Sequence, residues 1–170
     1  MDLGAWVARG SARYSDAEAE DRVFAPFRDA EHFTRAQVEQ LVDHKFADAP
    51  RRAQRIREQL VAEPDERIEA LTRQAFACFH DLVALLACEA LAGIAPATAS
   101  LLLAAQDPDR YVVIDRRALT SLRALGYLPE GAHFDPARDW EPYLRAARRL
   151  ATDAGHDLPA TARALLAAED

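Results

Sequence analysis

The residues best placed to do chemistry are a carboxylate and a glycine turn. Asp115 follows a short apolar stretch, Tyr111-Val-Val-Ile114, and stands directly before Arg116-Arg117. Upstream lies Leu91-Ala-Gly-Ile-Ala-Pro-Ala-Thr-Ala99. A turn feeding a helix start exposes backbone N–H groups, which together with the helix dipole form a site for an anion such as a phosphate. Gly93, Ile94, Ala95, Ala97 and Thr98 are the candidate contacts there, with Arg116 and Arg117 beside them. A carboxylate near such a site can activate water or stabilise a developing positive charge. Both features also have plain readings. Asp115 is a good helix N-cap, and any αα-hairpin uses similar turn chemistry.

These residues need helices to hold them. Asp81 to Ala90 is apolar at Leu82, Val83, Leu85, Leu86 and Ala90, which predicts a buried helix. Gly93 sits where that helix must end. Pro96 suits the first turn of the next, which continues through Ala105, and small Ala97, Ala99, Ala104 and Ala105 permit close packing. The loop Gln106-Asp-Pro-Asp-Arg110 follows, then a helix from Arg116 to about Leu125 that Gly126 ends.

With its spacing, this segment resembles the helix-hairpin-helix DNA glycosylase superfamily, which contains endonuclease III and the 8-oxoguanine and adenine glycosylases. Gly93, Thr98 and Ala99 match the family hairpin, and Asp115 falls on the family aspartate without a gap. The match runs from about Leu82 to Leu125. Ala95 replaces the second hairpin glycine, Ala97 stands at the Schiff-base lysine, and Thr120 stands at an arginine of the family helix. Only Cys78 and Cys88 are present, so the four-cysteine iron–sulfur cluster has no counterpart. The resemblance implies an all-α, two-lobed fold in residues 1–170, with the hairpin core at about 82–125. The N- and C-terminal helices would form a second lobe across a DNA cleft. It implies a monofunctional glycosylase without lyase activity, acting on a damaged, for example alkylated, base in duplex DNA. Asp115 would then be catalytic, and Phe76, Phe79, Tyr111 and Trp140 candidate pocket walls. Two alternatives stay open: a non-catalytic DNA-binding or scaffold protein with a protein partner, and a helical protein that keeps the hairpin only for packing.

Composition fits one helical domain. Of the 170 residues half are hydrophobic, and glycine is scarce at 6. No run is long and apolar enough to span a membrane, and Met1-Asp-Leu-Gly has no secretion pattern, so a cytoplasmic protein is expected. Two cysteines without pairing context read as buried helix thiols, and the five histidines have no metal-ligand spacing; no cofactor or metal is expected. The net charge of −7 opposes strong nonspecific DNA binding. Arginines nevertheless cluster at Arg51, Arg52, Arg55 and Arg57, at Arg110, Arg116, Arg117 and Arg123, and at Arg145, Arg148 and Arg149. Of the 21 basic residues every one but Lys45 is arginine, so covalent amine chemistry has only Lys45 or the terminal amine to use.

Elsewhere the pattern gives a capping box at Thr34-Arg-Ala-Gln37 for a helix through Phe46, then helices from about Pro50 to Val61 and from Glu63-Pro-Asp-Glu66 onward. Phe24, Phe27 and Phe33 read as core anchors, and Asp16 to Val23 as the opening of a helix. Gly131 to Asp139 reads as a loop, Trp140 to Thr152 as a helix, and Asp157 as the cap of a last one to about Ala167.

Overall fold

A computed structural model describes residues 1–14, 17–131 and 134–167. Among the described residues the chain is all-helical, with ten α-helices and no strand. They are α1 (Leu3–Arg13), α2 (Ala17–Phe24), α3 (Arg35–Lys45), α4 (Pro50–Leu60), α5 (Asp65–Ala77), α6 (Asp81–Glu89), α7 (Pro96–Gln106), α8 (Arg116–Ala124), α9 (Pro136–Ala154) and α10 (Leu158–Ala167). A 3-10 turn, Ala25–Phe27, follows α2. The expected opening at Asp16 lies outside the described residues, as do His133 and part of the 131–139 loop.

Local chemistry explains most boundaries. Thr34 and Gln37 form a reciprocal capping box at α3. Gly93 and Gly126 adopt φ of 79° and 78°, where glycine carries no Cβ penalty. Phe24, Phe27 and Phe33 are buried, Phe27 and Phe33 meeting edge to face with centroids 5.3 Å apart.

Two expectations need correction, and one stretch left without a pattern gains a helix. Helix α9 starts at Pro136, not Trp140, so Asp139 belongs to its first turn rather than a loop. Asp135 caps it by accepting from the Ala137 N–H, and Pro136 follows as a proline suited to the first turn. Helix α6 is buried on one side only. Ala84, Leu85, Ala87 and Cys88 face inward, while Val83 and Leu86 stay exposed because they fall on the outer face. The first thirty residues, which gave little pattern, hold α1, capped by Asp2 through the Ala5 N–H.

Helices α5, α6 and α7 pack in succession, and α3 lies against both α4 and α7. Helix α1 packs mainly against α10, which also touches α8 and α9. The contact is close: a Cβ on Gly10 would stand 2.8 Å from the Ala164 Cβ. One buried cluster joins α2 through α10, with Leu102, Leu103, Trp140 and Tyr143 fully buried in it. Among the described residues no helix is long and apolar enough to cross a membrane.

Candidate functional site

The turn between α6 and α7 is closed by Ile94 N–H donating to the Leu91 carbonyl, with Gly93 at its positive-φ position. That is the place a type II turn needs glycine. Ala95 is the N-cap of α7 and gives no side-chain hydrogen bond, and Pro96 has no N–H to offer. The N–H groups of Gly93, Ala95 and Ala97 find no acceptor among the described residues. They are the open end of α7. The Ala92 N–H is taken: it donates to the Glu63 carboxylate at 3.1 Å, and Glu63 is also paired with Arg67 at 2.8 Å. The turn thus carries one internal anion next to its open amides.

Of the proposed contact residues, Ala95 is exposed and Gly93 and Ala97 are half-buried. Ile94 and Thr98 have buried side chains and present only backbone. Arg116 and Arg117 are exposed at the start of α8.

Asp115 is the N-cap of α8. Its Oδ1 accepts the Arg117 N–H at 2.7 Å, and its second oxygen has no hydrogen bond among the described residues. One hydroxyl fixes Asp115 relative to the hairpin. Ser100 Oγ accepts the Ile114 N–H at 2.8 Å and donates to the Ala97 carbonyl. The residue before the carboxylate is therefore pinned to the first turns of α7.

Asp115 borders a cavity of about 240 Å³ that it shares with Lys45, Arg117, His44 and Tyr14. Phe24, Leu101, Val113 and Leu166 form its apolar wall. Lys45 comes from the last turn of α3, far from Asp115 in sequence. Burial lowers the pKa of its amine below the ordinary lysine value, Asp115 opposes that by attraction, and Arg52 adds to it by repulsion. Sequence reasoning singled out Lys45 as the one lysine but gave no sign that α3 would deliver it to Asp115. Only the packing of α3 on α7 does that.

The aromatic residues expected to line a pocket divide. Tyr111 borders a cavity of about 50 Å³ that shares Phe24, Val113 and Leu166 with the larger one. Trp140 is fully buried core, its Nε1–H donating to the Asp81 carbonyl. Phe76 packs on Phe33 at a centroid distance of 4.7 Å. Phe79 is 93% exposed, because it sits in the turn before α6 with its side chain outward, and it walls no cavity described here.

The arginine clusters divide as well. Arg110 and Arg148 both bind the Asp81 carboxylate, at 2.8 and 3.0 Å. Arg57 pairs with Asp43, and Arg149 meets Asp153 at 3.6 Å. Arg51, Arg52, Arg55, Arg116 and Arg117 are exposed and have no ion pair among the described residues. Arg52 and Arg117 flank Lys45 and Asp115 from two helices. Neither cysteine joins this site. Burial pushes the Cys88 thiol up to about 12, which leaves it without nucleophilic thiolate near neutral pH. No cluster of three metal-ligating side chains occurs among the described residues.

Compared with known proteins, the chain matches no family model, no curated protein and no solved structure at a significant level.

Proposed function

We propose that this protein is a DNA-repair-type N-glycosylase that releases a damaged base from duplex DNA, with Asp115 as the catalytic carboxylate. One observation carries the reading. Asp115 keeps an uncommitted oxygen beside a cavity, and Ser100 ties it to the helix whose start offers free amides. In this reading the open amides of Gly93, Ala95 and Ala97 take a backbone phosphate. Arg116 and Arg117 hold the neighbouring phosphates, and the damaged nucleotide turns out of the stack into the cavity. As the N-glycosidic bond lengthens, positive charge grows on the sugar, and a nearby carboxylate stabilises it electrostatically. The cavity, about 240 Å³, is somewhat smaller than sites for drug-sized ligands, about 300–1,000 Å³, and suits a single base.

The test is base release from a duplex carrying one alkylated base, using wild type and Asp115→Asn. Asparagine caps a helix about as well as aspartate, so stability should change by less than about 0.5 kcal/mol. Release should disappear. Release that survives the substitution rejects the reading.

A non-catalytic DNA-binding protein is the second reading, and the Glu63 carboxylate lodged on the Ala92 N–H favours it. A fixed negative charge at the turn weakens a phosphate grip. It would give salt-sensitive binding, lost on Gly93→Asp, with no base release in the same assay.

A further inference from the structure

Asp115 stands at one end of α8, and a second cavity, about 250 Å³, opens at the other. The two cavities share no lining residue. Leu119, Leu128, Phe134 and Pro142 give the second an apolar wall. Phe134 is fixed there by edge-to-face packing on Tyr143, with centroids 5.9 Å apart. Four charged side chains border the same space: Arg123, Glu130, Arg138 and Asp139. Arg138 and Asp139 answer each other at 2.8 Å, and Asp139 also accepts the Asp135 N–H. Those contacts, Arg138's foremost, hold the Asp139 carboxyl well below the usual carboxylate range, with a smaller pull from Arg123. Glu130 is exposed. Arg123 is the charge left over. It is half-buried, its side chain has no hydrogen bond or ion pair among the described residues, and its Nε is shielded from solvent without a partner. A cation in the last turn of α8 suits the helix dipole, but the dipole gives a planar five-donor fork no acceptor. Buried charge is ordinarily paired. A Cβ on Gly131 would stand 3.9 Å from Arg123 Nη2, so the guanidinium ends among residues that border the cavity.

We propose that this cavity binds a small free monocarboxylic acid, its carboxylate taken by Arg123 and its apolar body by Leu119, Leu128, Phe134 and Pro142. The guanidinium fork matches the two oxygens of a carboxylate. The charge balance selects a single negative charge. A phosphate monoester carries up to about two near neutral pH, and would meet Glu130 and Asp139 on the same rim. The volume selects a small body. It lies below the range of about 300–1,000 Å³ for drug-sized ligands, which leaves room for one ring or a short chain. The proposal rests on no part of the DNA reading.

The experiment titrates sodium benzoate into the full, isotope-labelled chain and follows the backbone amides by NMR. Gly131 is the reporter, and with only 6 glycines in the sequence its signal falls in a sparse region. Benzamide, the neutral isostere, and phenyl phosphate are titrated in parallel. Benzoate should move the Gly131 signal along a saturable curve, with a Kd of about 1 mM or tighter for a ligand of this size. Benzamide should bind at least about tenfold more weakly, because it lacks the charge that Arg123 pairs with. Phenyl phosphate should also bind more weakly than benzoate. Arg123→Met keeps the apolar stem and should abolish the preference for benzoate over benzamide. If that variant does not fold, as judged by the dispersion of its amide signals, benzoate against benzamide on the unaltered chain decides alone. Shifts at Gly131 that do not saturate, or equal binding of benzoate and benzamide, overturn the proposal. So does a preference for benzoate that survives in folded Arg123→Met, or phenyl phosphate binding as tightly as benzoate.

Discussion

At Gly93 two constraints meet in one residue. Its φ of 79° disfavours any side chain, and a Cβ there would stand 2.4 Å from Gln59 Oε1 and 3.2 Å from Gln59 Cβ. The first cost is backbone strain, about 1–2 kcal/mol for a residue other than glycine. The second is partly relieved if the flexible end of Gln59 moves. Gly93→Ala is therefore expected to lose about 1–2 kcal/mol in urea unfolding. Gln59→Ala in the same background should recover only the contact part, and full recovery would show that φ contributes little. The turn glycine was legible in the sequence because its chemistry is local. The meeting of Lys45 with Asp115 was not, since it depends on how α3 lies on α7. Phe79 and Trp140 show the same limit. Both are large aromatics in the sequence, yet one is almost fully exposed and the other fully buried.

At the scale of elements, Asp81 joins three pieces of chain at the start of α6. Its Oδ1 accepts from Arg110, in the linker before α8, and its Oδ2 from Arg148 on α9. Arg110 also reaches the Phe79 carbonyl, and Arg148 donates to the Arg110 carbonyl at 2.6 Å. Removing the carboxylate leaves two guanidinium groups facing each other. Fully buried pairs lose about 3–5 kcal/mol when one partner is deleted. The arginines here are about a third exposed, 26% and 35%, so water screens part of the interaction. Asp81→Ala should cost about 2–3 kcal/mol in thermal or urea unfolding. A loss below about 1 kcal/mol would mark the cluster as an ordinary surface pair. Helix boundaries were readable where caps and prolines mark them, as at Thr34, Pro96 and Asp157. The start of α9 was readable too, through Asp135-Pro136, but the apolar run beginning at Trp140 was the stronger pattern and drew the boundary inward.

Taken whole, the molecule carries a net charge of −7. The carboxylates that neutralise Arg57, Arg110, Arg148 and Arg149 leave Arg51, Arg52, Arg55, Arg116 and Arg117 without an ion pair among the described residues, with Arg52 beside Lys45 and Arg117 beside Asp115. Duplex binding through these five would release about one counterion per phosphate. The logarithm of the affinity should then fall with the logarithm of salt concentration at a slope of about −4 to −5. Fluorescence anisotropy between low and physiological salt measures it, and a slope near zero would exclude this surface as the contact. The helical class was plain from composition. The distribution of charge was not, because a net figure hides which arginines are already paired.

The close pairing of α1 with α10 reaches the cavity beside Asp115. These two helices contact each other across nearly the whole described chain, so bringing them together costs the closure entropy of a long loop. Leu166, on α10, walls the cavity that holds Asp115 and Lys45. The wall that Leu166 gives this cavity is thus supplied by a helix held chiefly through its contact with α1, the helix most distant from it in sequence among the described residues.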